Sequence, residues 1–224
     1  MSRCKKEGVK LNSAFELLSC LALRKLYELL GSSNEEFSNF AFHTIVSLRN
    51  GQRTGQDSFG EDVMGFISGG LINRPDTLAI NRIIENKSQF SELFWPLAKK
   101  LSDEMHFRLK NDPSRFFVKI NPAGKGEMNF HYSTSNLGII FTSEESDLEY
   151  FRFDLPKISH FATYDKNSTD RLFYVWFASL LNEVCFGTHF NSHFVDIPIM
   201  EKYLNIFKDF LDQLIKNEPI QSNL

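Results

Sequence analysis

The chain has 224 residues, 42% of them hydrophobic and 24% charged, with a formal net charge of -3. Such a chain is long enough to bury a core, and its charge balance excludes a global attraction to nucleic acid or to an anionic membrane. The three cysteines, Cys4, Cys20 and Cys185, are too few and too scattered for a disulfide scaffold and point to a reducing, cytoplasmic setting.

Arg3, Lys5 and Lys6 precede an apolar run, but Asn12, Ser13 and Glu16 interrupt it, so it does not read as a signal peptide. No stretch approaches the roughly 18 uninterrupted apolar residues of a spanning helix, and no membrane partner is expected. The 23 Phe residues are spread along the chain rather than clustered, which reads first as core filling.

In chain order, Ser13 and Glu16 form a capping box, and the apolar run behind them predicts a buried helix stopped by Gly31. A second box at Ser33 and Glu36 leads into Phe37, Phe40, Ala41, Thr44, Ile45 and Leu48, whose spacing predicts an amphipathic helix with His43 off its apolar stripe, in solvent. Residues 49–60 read RNGQRTGQDSFG, a loop by composition. Ser58 and Glu61 open a short helix that Gly69 and Gly70 end, and Pro75 suits the first turn of another reaching Ile84. Phe90, Phe94, Leu97, Leu101 and Met105 mark a longer helix before Asp112 and Pro113.

Residues 115–153 replace helical spacing with β-type alternation and predict a four-stranded antiparallel meander, with turns at 121–124, 133–137 and 143–147. Leu172, Val175, Trp176, Leu180 and Val184 then fit a helix over 170–184. Pro198 opens a last helix with Met200, Tyr203, Leu204, Phe207, Leu211, Leu214 and Ile215 on one side, a stripe expected to be core. These elements give a single α+β domain over 1–224: an all-helical subregion 1–113, then a central antiparallel sheet with two C-terminal helices packed on it.

Two places carry candidate chemistry. In Cys185, His189, His193 and Asp196 the histidines are four apart; on a helix they share a face and can hold zinc, with the thiolate one turn earlier and the carboxylate nearby. Gly187 and Asn191 favour an extended connector here, and no Glu lies between the histidines to act as a metalloprotease base. In the loop, Arg49, Gln52, Arg53 and Gln56 offer bidentate donors among glycines that let backbone amides approach a phosphate or a base, a local route to nucleic acid.

Ser133, Thr134 and Ser135, with Arg53 upstream and Glu144, Glu145, Asp147 and Glu149 downstream, resemble the Arg, Ser-Thr-Ser and Glu-x-Glu elements of ADP-ribosyltransferases. The tripeptide lies closer to the acids than in that family, and the helical first half departs from its β-rich core. Turn hydroxyls satisfying backbone groups account for these residues instead. Lys125 between Gly124 and Gly126 lacks the longer loop and following helix of a phosphate-binding motif. Without a catalytic motif, the sequence favours a non-enzymatic interaction or regulatory protein with a macromolecular partner, most readily a protein. The competing expectation is a metal-dependent or nucleotide-handling enzyme built on the segment from Cys185 to Asp196.

Overall fold

The computed structural model describes residues 2–31, 40–47, 68–111, 132–141, 173–180, 183–190, 192 and 195–216. The protein is α+β, and its chain divides into two compact units, one helical and one built on a sheet.

The helical unit comprises Met1–Phe40, Arg74–Pro113 and Asp196–Leu224. Its helices are α1 (Ser2–Lys6), α2 (Leu11–Leu29), α3 (Thr77–Glu85), α4 (Phe90–Asn111) and α5 (Ile197–Lys216). Helix α2 is buried around most of its circumference and packs against α3, α4 and α5. Its predicted capping box does not form. The helix begins two residues before Ser13, whose Oγ donates to Met105 Sδ at 3.8 Å, while Glu16 Oε1 accepts from Asn12 Nδ2 at 2.7 Å. The stop is as expected, with Gly31 at φ +82, a conformation that favours glycine. Helix α3 is capped instead by Asp76, whose side chain accepts from the Ala79 amide at 3.1 Å.

Helix α5 buries Met200, Tyr203, Phe207, Phe210 and Leu214, so most of its stripe is core, while Leu204 and Leu211 are half-buried and Ile215 is exposed. Phe207 packs at a tilt against Phe15 of α2, ring centroids 5.8 Å apart, and Phe210 lies parallel to Phe90 at 5.3 Å. Two buried polar groups are locked into this unit. Arg24 Nε donates to Asn81 Oδ1 at 2.7 Å, and burial pushes the Tyr203 phenol well above its ordinary pKa, only partly offset by the nearby Ser19 side chain.

The sheet unit comprises Ala41–Asn73 and Ser114–Val195. Its strands are β1 (Phe42–Ser47), β2 (Ser68–Asn73), β3 (Tyr132–Phe141), β4 (Phe173–Leu180) and β5 (Glu183–Phe190), in the order β2-β1-β3-β4-β5. The outer pairs are antiparallel; β3 runs parallel to both β1 and β4.

Several expectations are corrected here. The first 113 residues are not all helical, because β1 and β2 replace the predicted helix over 37–48 and the helix end at Gly69 and Gly70. The helix over 170–184 is also a strand. Phe173 to Ala178 are all buried, and a strand covered on both faces presents an unbroken apolar run without the alternation that separates strand from helix. That leaves α5 as the one described helix after the sheet. The turn expected at 133–137 lies inside β3, whose neighbours are parallel rather than meander partners. Of the other meander positions, Tyr132 and residues 138–141 belong to this same strand, and the rest lie outside the described residues.

Candidate functional site

Residues directly opposite one another on paired strands share a face of the sheet. In the sheet unit the pairings His43 with Ser133, Ser133 with Tyr174, and Tyr174 with His189 set four hydrogen-bonding side chains in one row across β1, β3, β4 and β5. Ile72 of β2 continues it beyond His43.

Within this row His43 Nδ1 lies 3.3 Å from Ser133 Oγ, and the Tyr174 and His189 rings are 6.0 Å apart. Ser133 is fully buried and Tyr174 nearly so, whereas His43 and His189 are half-buried. The next row on the same face pairs Gly70, Ile45, Ser135, Trp176 and Gly187. The Trp176 indole lies across β5 in the space a side chain at 187 would take: a Cβ there would meet three indole atoms at 2.8–2.9 Å. Only glycine fits under that ring without displacing it.

The opposite face is apolar and aromatic at the same level. Phe42, Tyr132 and Phe173 stack across three strands, with centroids 5.4 and 5.3 Å apart and planes nearly parallel. Beside them Asn73 Nδ2 donates to Thr44 Oγ1 at 2.8 Å, both residues buried. This stack fixes the level of the strands and therefore the alignment of the polar row behind it.

The arrangement suits proton handling. In the tautomer whose Nδ1–H donates to Ser133 Oγ, Nε2 of His43 carries the lone pair. Ser133 is at 0% exposure, and His43 is half-buried. Nε2 is itself shielded from solvent.

The sequence-predicted zinc candidates are not gathered on a helix. Cys185 and His189 lie on β5, where residues four apart are about 13 Å apart along the strand, too far to share one ion. Asp196 belongs to the helical unit, and His193 lies outside the described residues. No group of three metal-ligating side chains exists among the described residues. Arg49, Gln52, Arg53 and Gln56 also lie outside them, as do the acids of the ADP-ribosyltransferase resemblance; Ser133, Thr134 and Ser135 are strand residues, not turn residues. His43, expected in solvent on a helix, is instead half-buried on β1 in contact with Ser133. No local signal announces that pair, since its members are 90 residues apart.

No family model matches this chain, and no curated protein does. Among solved structures it is similar to one described as the molecular basis for condensation domain-mediated chain release from the enacyloxin polyketide synthase, with a TM-score of 0.51 and 11% identity. The likeness covers 100% of this chain and 39% of that one, and at this identity it is a likeness of fold. No described helix is long and apolar enough to cross a membrane.

Proposed function

We propose that the sheet unit forms part of an acyl-transfer site in which His43 handles the proton of the acyl acceptor and Ser133 positions its ring. The observation that carries this reading is the 3.3 Å approach of His43 Nδ1 to the buried Ser133 Oγ on adjacent parallel strands. The fold likeness to a protein described by condensation domain-mediated chain release supports the same chemistry.

In the step proposed, an acceptor hydroxyl or amine attacks an acyl thioester carbonyl while His43 Nε2 takes the acceptor proton. The new C–O or C–N bond forms, the C–S bond breaks, and the departing thiolate receives the proton from the imidazolium, leaving His43 neutral. The experiment is transfer from an acyl thioester to an amine or alcohol by the purified chain. His43→Ala should lower the rate by about 10²–10⁴-fold, the usual contribution of a positioned general base, and Ser133→Ala by less. Equal rates in parent and His43→Ala would end this reading.

A second reading, an interaction module with a protein partner, is favoured by one observation: the whole chain spans only 39% of its structural neighbour's length. On that reading further polypeptide completes the site. Light scattering and cross-linking of the purified chain, alone and with its co-purifying proteins, should then find a stable heteromeric complex; a monomer that nonetheless turns over acyl thioester would count against it.

A further inference from the structure

We draw no further inference here: the strongest candidate, the exposed apolar surface patch of Leu29 and Leu30 at the end of α2, carries nothing because nothing in the structure shows what covers it.

Discussion

Single residues in this protein owe their behaviour to groups far away in the chain, and Tyr203 shows how far that reaches into solution properties. Its phenol is buried in the helical unit, and burial disfavours the charged phenolate, so the folded state holds this proton more tightly than the unfolded state does. Above the ordinary phenol value of about 10, the unfolded chain loses the proton and the folded chain keeps it. The unfolded state then binds fewer protons, and stability must fall as pH rises, by up to about 1.4 kcal/mol per pH unit for this one group. Denaturant unfolding from pH 8 to 11 should show a steeper decline for the parent than for Tyr203→Phe, which has no proton to lose. Parallel curves would mean that the phenol is not shielded in solution.

The same dependence on distant partners explains what could be read at each residue from sequence. Met200, Tyr203, Phe207 and Leu214 were legible as core because their neighbours on one helix face follow at fixed spacing. His43 was not, because nothing within its own strand indicates that Ser133, 90 positions on, will stand beside it.

Among the elements, α4 and α5 emerged with nearly the bounds their apolar period implied, since each has one polar face to contrast with its buried one. Strand β4 has no polar face to offer. Phe173, Tyr174, Val175, Trp176, Phe177 and Ala178 are all buried, so their apolar spacing fits a helix over 170–184 as readily as a covered strand, and only their aromatic and β-branched content favours the strand. Strand β1 misled differently: Thr44 is a core residue made acceptable by Asn73, not part of an apolar helical stripe.

Helix α5 also permits a contrast between apolar and ionic contributions on one element. Phe207→Ala should cost about 3–5 kcal/mol, because it removes a ring packed between Phe15 and Tyr203 at 1% exposure. Asp212→Ala, which breaks the exposed 3.3 Å pair with Lys208, should cost less than about 0.5 kcal/mol. Urea midpoints of both variants decide it; similar losses would mean that the helix is held by its rim rather than its core.

At the scale of the whole molecule, neither compact unit is a continuous piece of chain. The helical unit is assembled from three segments and the sheet unit from two, so the polypeptide passes from one to the other four times. Removing residues 196–224 deletes only the last of these segments, yet it takes α5 and with it the partners of Phe15 and Phe90. The 1–195 chain should therefore lose cooperative thermal unfolding in its far-ultraviolet circular dichroism, as a core opened along one side does. A truncated chain that melts as sharply as the parent would show that α5 is dispensable to its unit.

The parallel pairing of β1 with β3 also has a consequence in time. A ribosome adding roughly 5–20 residues per second completes β1 and β2 and then needs about 3–14 s more before β3 is made. Until then the hairpin of β1 and β2 has its inner edge unoccupied, with backbone groups aligned for any extended segment nearby. Nascent chains of this protein are thus exposed to mispairing during synthesis, and slower translation between residues 73 and 132 would lengthen that interval and raise the demand for chaperones.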